Sequence, residues 1–162
     1  MAPIDGLCGD GTLERFEPQL DPGELPLRIV YLAPEAHEWC FSSRELGYQT
    51  PNPHSYDRVR ALLSQFCAGR LLLRGAHVRD LRPPRSRIWE LKTIPPERYS
   101  VRIFGWFYRP CVFIGCLCKY KNDVSQRCAD EINAVSSYRA NLSLDEPKTA
   151  KETSYDALLR VN

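Results

Sequence analysis

Basic side chains that can bind phosphate are concentrated in one stretch of this 162-residue chain. Residues 70–121 contain twelve Lys and Arg, against only Asp80, Glu90 and Glu97 as acidic residues. Arg and Lys carry positive charge at neutral pH, and their N–H donors match phosphate oxygens. The local bias therefore predicts a binding surface for a polyanion or for an acidic protein. The alternative is a solvated surface whose charges balance in three dimensions.

Three predicted strands carry most of this basic stretch. Residues 87–93 read as a strand, residues 100–108 as a second strand with large side chains on both faces, and residues 111–118 as a third that is almost entirely apolar. Short connections join the three segments, one through Pro95 and Pro96 and the other at Arg109-Pro110. Short turns between neighbouring strands predict an antiparallel meander, with the apolar third strand in a central position.

The remaining elements predict a small α+β domain with a small antiparallel sheet and flanking helices. A strand at 27–32 is followed by a helix that begins at Pro34 and by a second helix between Ser55 and Gly69. A last helix follows Asn122-Asp123 and packs its apolar stripe on the sheet. The predicted organisation is an acidic N-terminal extension (1–25), a folded domain (26–142) and a polar tail (143–162), which carries a weak helix around 150–161.

Composition excludes several classes of protein. No run of 18 apolar residues is present, so no membrane span is predicted. The first 25 residues lack a basic start followed by an apolar core, which predicts a protein without a secretory signal, located in the cytoplasm. Seven Cys, an odd number, favour reduced and mostly buried thiols. Cys116 and Cys118 are too closely spaced for a zinc knuckle, so neither a metal site nor a cofactor is predicted.

Three local strings occur in an order that resembles the RelE/ParE toxin superfamily, and most closely its HigB-like, phage-derived branch. The resemblance covers roughly residues 26–142. The chain departs from the family pattern where Tyr120 separates two lysines and Asn122-Asp123 follows. The strings are Ala76-His77-Val78-Arg79-Asp80-Leu81 leading into Ile88-Trp89-Glu90-Leu91-Lys92, then Tyr99-Ser100-Val101-Arg102-Ile103-Phe104, and finally Val112-Phe113-Ile114-Gly115 running into Lys119-Tyr120-Lys121.

This resemblance implies a fold, an activity and partners. The implied order of elements is strand, helix, helix, three strands, helix. The implied activity is that of a type II toxin–antitoxin toxin, a ribosome-dependent endoribonuclease (mRNA interferase) that needs no metal. In that reaction a ribose 2′-OH attacks the adjacent phosphate, which requires a base, an acid and cations for the developing charge. The implied partners are the ribosome with its mRNA and a cognate antitoxin, typically a helix-turn-helix protein.

The resemblance assigns five candidates for catalysis. Three further residues are candidates for binding RNA, two arginines because they lie at the turns between the strands and one tryptophan because it stands beside basic residues. Other interpretations of these residues remain open: Lys92 and Lys121 as strand-end charges, Arg102 as a partner of Glu90, and Tyr120 as a packed aromatic residue. The catalytic candidates are Lys92, Arg102, Lys119, Tyr120 and Lys121, and the RNA-binding candidates are Arg98, Arg109 and Trp106.

Two further functions remain open at the level of sequence. The same fold supports a ParE-like inhibitor that acts by binding DNA gyrase, and it supports an interaction protein that has lost catalysis. The acidic segment 1–25, with six acidic residues and one basic residue, is either an internal shield over the basic face or a simple tail.

Overall fold

The computed structural model describes residues 3–41, 53–94 and 100–160. Within these residues a six-stranded sheet is flanked by helices, so the fold is α+β. No described helix has the length and apolar character that a membrane span needs. The strands are β1 (Glu14–Arg15), β2 (Ile29–Leu32), β3 (Val78–Asp80), β4 (Trp89–Lys92), β5 (Val101–Arg109) and β6 (Val112–Tyr120), and the helices are α1 (Ile4–Gly9), α2 (Pro34–Phe41), α3 (Pro53–Cys67), α4 (Ala129–Asn141) and α5 (Tyr155–Leu159).

The sheet has the strand order β1-β2-β6-β5-β4-β3. Strands β4, β5 and β6 form the antiparallel meander that the short connections predicted. The sheet as a whole is mixed rather than antiparallel, because β2 pairs in parallel with β6. A parallel pair needs a long crossover, and the chain between β2 and the meander supplies one that includes helices α2 and α3. The short strands β1 and β3 extend the two edges.

Each face of the sheet covers its own hydrophobic core, because successive strand residues point to opposite faces. In β5, Ile103 and Phe107 belong to the core that includes residues of α2, α3 and α5. Phe104 and Trp106 belong to the core that includes residues of α1 and α4. We call the face of the sheet that covers the first core the α3 face and the face that covers the second core the α4 face. All four side chains are at most 3% exposed, so β5 is buried on both faces.

The acidic N-terminal segment is part of the folded body rather than a separate extension. Leu7, Leu13 and Phe16 are buried, and β1 pairs with β2 at the edge of the sheet opposite to β3. The segment therefore does not lie over the strands β3 and β4. The predicted tail is also packed: Leu144, Ala150, Leu158 and Leu159 are buried, and α5 lies within the range predicted for a weak helix.

Arg28 connects the C-terminal segment to α3. Its side chain is buried and donates hydrogen bonds to the carbonyl oxygens of Leu159 (2.7 and 3.1 Å), Phe66 (3.3 Å) and Arg70 (3.1 Å). We expect Arg28→Ala to lower the free energy of unfolding by about 3 kcal/mol, because buried carbonyl groups lose a charged donor. Denaturant titration measures the change.

The control for this prediction is Arg70→Ala, which removes an exposed guanidinium that pairs with Asp21 and Glu24. Exposed ion pairs contribute little, so this variant should lose less than about 1 kcal/mol. Equal denaturation midpoints for the two variants would contradict the role assigned to Arg28.

Candidate anion-binding site

Three of the predicted site residues form one row across the meander. Lys92 of β4 is the register partner of Arg102 in β5, and Arg102 is the partner of Lys119 in β6. Their strand neighbours Leu91 and Ile103 belong to the core of the α3 face, so the three cations lie on the α4 face. We call Lys92, Arg102 and Lys119 the basic row.

A β-bulge in β6 determines which of its residues joins the basic row. Phe104 pairs with Leu117, whereas the next residue, Gly105, pairs with Gly115, so Cys116 is an extra residue in β6. One extra residue inverts the alternation of faces along the rest of the strand. Lys119 therefore lies on the same face as Arg102, and its neighbour Tyr120 on the other.

The carboxylate of Glu90 is the centre of a buried ion network beside the row. Its side chain is 1% exposed, and its Oε1 atom lies 2.8 Å from Arg79 Nε, 3.4 Å from Arg102 Nη1 and 3.9 Å from Lys92 Nζ. Arg79, in β3, is the register partner of Glu90. A single carboxylate thus orients cations from three neighbouring strands.

A second buried carboxylate, Glu131 of α4, binds the other end of the row. Its Oε1 accepts hydrogen bonds from Lys119 Nζ (2.7 Å) and from the backbone N–H of Ser125 (3.0 Å), and its Oε2 accepts one from Ser125 Oγ (2.5 Å). Burial acts to raise the pKa of Glu131, but the hydrogen bonds from Lys119 and Ser125 outweigh it and lower the pKa to about 2.

Lys92 has an environment that favours its neutral form. Burial lowers the pKa of the Lys92 ammonium, the positive charges of Arg102 and Arg79 lower it further, and Glu90 opposes both effects. The side chain is 11% exposed, and Nζ donates a hydrogen bond to the carbonyl oxygen of Gly75. A lysine with a lowered pKa can accept a proton closer to neutral pH than an ordinary one.

The site carries an excess of positive charge and is open at its rim. Four cations, Arg79 and the three of the basic row, surround two carboxylates, which leaves two positive charges without a carboxylate. The side chains of Arg79 and Lys119 are 48% and 31% exposed, whereas that of Arg102 is 12% exposed. Arg79 and Lys119 are therefore accessible to the phosphates of a polyanion, and Arg102 lies deeper between them.

Two of the catalytic candidates lie outside the basic row. Tyr120 is on the α3 face, where its ring packs against Trp39 with the centroids 5.2 Å apart. Tyr120 therefore packs as an aromatic residue on the face of the sheet opposite to the basic row. Lys121 begins the 3-10 turn after β6 and is exposed, one turn beyond the row.

The RNA-binding candidates do not join the row either. Trp106 is fully buried and its indole N–H donates to the carbonyl oxygen of Lys148 (2.7 Å), so the ring is not available to stack on a base. Arg109 is at the opposite end of β5 from Arg102, roughly 23 Å along the strand. Its guanidinium stacks on the ring of Tyr108 and donates to Pro147. Arg98 lies outside the described residues.

Sequence reasoning assigned Arg79 and Glu131 no role in the site, and it named Glu90 only as an alternative partner of Arg102, a contact that the structure has at 3.4 Å. Glu90 has a signal, since it precedes Lys92 by two positions in a strand and therefore shares its face. Arg79 has a weaker one, because it stands in a short segment that precedes β4. Glu131 has none, since its contact with Lys119 depends on how α4 packs across β6.

In the described part of the chain, no three or more His, Cys, Asp and Glu side chains come together in a group that could hold a metal ion. The fold and the site define an α+β protein with a basic row on one face of a mixed sheet. Comparisons with models of protein families, with curated proteins and with solved structures found no match to this chain.

The lowered pKa of Glu131 predicts a pH-dependent contribution to stability. Ionised Glu131 stabilises the fold above its unfolded pKa of about 4.5, and this stabilisation is lost as the pH falls from about 4.5 to about 2. We expect Glu131→Gln to cost about 3 kcal/mol at pH 7, at 1.36 kcal/mol per pKa unit. The difference in the free energy of unfolding between the wild type and this variant should disappear as the pH falls from about 4.5 to about 2.

Unfolding titrations of both proteins between pH 7 and pH 2.5 measure this difference. Glu152→Gln, at an exposed position, serves as the control and should change the free energy of unfolding little at either end. A gap between wild type and Glu131→Gln that stays constant down to pH 2.5 would contradict the prediction.

Proposed function

We propose that this chain is a toxin of the RelE/ParE superfamily from a type II toxin–antitoxin system, and that it cleaves translated mRNA as a metal-independent endoribonuclease. The observation that carries the proposal is the basic row, in which Lys92, Arg102 and Lys119 lie side by side on one face of three neighbouring strands. These are three of the residues to which the family resemblance assigns catalysis.

The order of the elements supports the same proposal. From β2 through α4 the chain runs strand, two helices, a three-stranded meander and a final helix, as the resemblance implies, with the short strand β3 inserted before the meander. The first strand of this series, β2, pairs in parallel with the last, β6. Folds of this kind support several activities, so the function is argued from the site and not from the topology.

The charge of the site suits the proposed reaction. Attack of a ribose 2′ oxygen converts a phosphodiester with one negative charge into a phosphorane with two. With Lys92 neutral, as its role as the base requires, the site has one positive charge in excess of its carboxylates, and the proton that Lys92 accepts raises this excess to two. Arg102 and Arg79 bind the non-bridging oxygens, where fixed cations stabilise the charge that develops in the transition state.

Two lysines carry the proton transfers in this mechanism. Lys92, with its lowered pKa, accepts the proton of the 2′-OH after its amine leaves the carbonyl oxygen of Gly75. The ammonium of Lys119 donates a proton to the 5′ oxygen as the P–O5′ bond breaks. The products are a 2′,3′-cyclic phosphate on one fragment and a 5′-hydroxyl on the other, and in this proposal side chains of the protein carry both proton transfers.

The proposed activity implies two partners in the cytoplasm. The ribosome presents the message as an extended single strand, and its RNA offers further phosphates to the basic surface. A cognate antitoxin, proposed to be a helix-turn-helix protein, inhibits the toxin by covering the basic row with acidic side chains.

One observation favours a second candidate, a protein of the same fold that binds its target without cleaving it. Each cation of the row already has a partner in the chain: Arg102 contacts Glu90, Lys119 contacts Glu131, and Lys92 donates to Gly75. A ParE-like inhibitor of DNA gyrase and a catalytically inactive interaction protein both fit such a site.

The test is to incubate the purified protein with translating ribosomes and to map the ends of the message. We expect new 5′-hydroxyl ends that are lost in Lys119→Ala and retained in the control Lys151→Ala, which changes an exposed lysine near the C-terminus. A message with a 2′-deoxynucleotide at the mapped position should not be cut there, because the attacking hydroxyl is absent.

Two outcomes would overturn the proposal. An intact message, together with cleaved chromosomal DNA in cells that express the protein, favours the gyrase inhibitor. An intact message and normal growth without an antitoxin favour the inactive interaction protein.

A further inference from the structure

The side chain of Glu131 connects the segment between β6 and α4, residues 121–128, to the basic row. Glu131 accepts two hydrogen bonds from Ser125 in this segment and one from Lys119 at the end of β6. The segment ends in two successive left-handed residues that are not glycine, Arg127 (φ 54°) and Cys128 (φ 57°). Such a backbone persists only where surrounding contacts determine it.

The bonds to Glu131 connect Ser125 of this segment and Lys119 of β6 to one carboxylate. Glu131 is fully buried, and both of its oxygens are occupied by donors from the chain. It lies in the first turn of α4, where the helix dipole favours a negative charge. The buried carboxylate therefore holds the ammonium of Lys119, which has a long and flexible side chain, on the α4 face.

We propose that Glu131 is a positioning residue that holds Lys119 and the 121–128 segment as one unit beside Arg102. This inference rests on the proposed function, because the group that Glu131 positions is the lysine that donates a proton to the leaving oxygen. Glu131 itself does not touch the substrate. A misplacement of a catalytic group by about 1 Å lowers rates by up to about 100-fold.

The first experiment compares cleavage by Glu131→Gln, Lys119→Met and the double variant. Glu131→Gln should lower kcat by about 10- to 100-fold with a change in KM of less than about threefold, because ground-state binding by Arg79 and Arg102 remains. In the Lys119→Met background the same substitution should have no further effect on kcat. An equal loss in both backgrounds would overturn the inference, since it indicates a structural role only.

The second experiment needs no catalysis. An amine-acylating reagent, read out by peptide mass spectrometry, should label Lys119 of the folded wild-type chain about tenfold more slowly than the exposed Lys151, because the Lys119 ammonium is held by a buried carboxylate. In Ser125→Ala, which keeps the carboxylate, the protection should remain. Equal labelling of Lys119 and Lys151 in the wild type would overturn the inference.

The two experiments separate the failure of this inference from that of the proposed function. If the wild type does not cut RNA but Lys119 is protected, the nuclease proposal fails and the holding of Lys119 by Glu131 stands. If the wild type cuts RNA and Glu131→Gln cuts as fast, the nuclease proposal stands and the positioning inference fails.

Discussion

Arg102→Ala is expected to lower the rate of message cleavage by about 100- to 1,000-fold, the range found when one preorganised donor to a transition state is removed. Arg102 is the central member of the basic row and the one with a partner in the row on each side. Its guanidinium offers two parallel donors to a phosphate. The measurement is the rate of appearance of 5′-hydroxyl ends on a message in a translating extract.

The loss in Arg102→Ala should not come from unfolding. Glu90 keeps Arg79 at 2.8 Å and Lys92 at 3.9 Å, so the buried carboxylate is not left without a counterion. Circular dichroism and a free energy of unfolding within about 1 kcal/mol of that of the wild type check this point. Arg102→Lys keeps the charge but loses the planar fork, and it should recover only part of the rate.

The matched control is Arg109→Ala, which removes an arginine from the other end of the same strand. Arg109 stacks on Tyr108 and donates to Pro147, away from the basic row. Cleavage by this variant should stay within about twofold of wild type, as expected for a group that does not contact the reacting atoms. If Arg109→Ala lost activity and Arg102→Ala kept it, the site would lie elsewhere on the molecule.

The meander could be predicted from sequence because its signals are local. Alternation of apolar and polar residues, the Pro-containing connections and the apolar third strand are each read within a few residues, and the structure has the three strands in that arrangement. The presence of Lys92 and Arg102 in one site follows from the same local pattern, since both stand at the strand ends joined by one short connection.

The parts of the fold that sequence reasoning missed depend on contacts between distant residues. The parallel pairing of β2 with β6 joins Val30 to Phe113, more than eighty positions apart. Leu7 and Phe16 are buried although they stand among Gly, Pro and acidic residues, a composition typical of an extension. Their burial is determined by the sheet that they cover and not by their neighbours in sequence.

The site prediction failed at residues whose face or burial has no local signal. Trp106 was expected to be accessible because basic residues are near it in sequence, but the α4 face covers it completely. The bulge in β6 places Lys119 on the α4 face and Tyr120 on the α3 face, and without it the two side chains would lie on the opposite faces. That bulge consists of one unpaired residue, Cys116, which resembles any other apolar strand residue.

Gly105 is the residue that permits this bulge, and its replacement is expected to destabilise the fold strongly. A Cβ atom at Gly105 would overlap the carbonyl oxygen of Ile114 and crowd the backbone of Gly115, neither of which is the end of a flexible side chain. Two strands in the centre of the sheet would have to separate. We expect Gly105→Ala to lower the free energy of unfolding by about 3 kcal/mol, as is typical of severe overpacking.

Gly105→Ala should also impair the site, because β5 and β6 carry Arg102 and Lys119 just beyond the bulge. The denaturation midpoint, together with acylation of Lys119 under native conditions, separates the two effects: the midpoint falls, and Lys119 becomes more reactive as its distance from Glu131 increases. Gly9→Ala is the control, since nothing lies within 4 Å of a Cβ there, and it should change stability by less than about 0.5 kcal/mol. A midpoint for Gly105→Ala equal to that of Gly9→Ala would show that the strands relax around the methyl group, and it would contradict the predicted loss of stability.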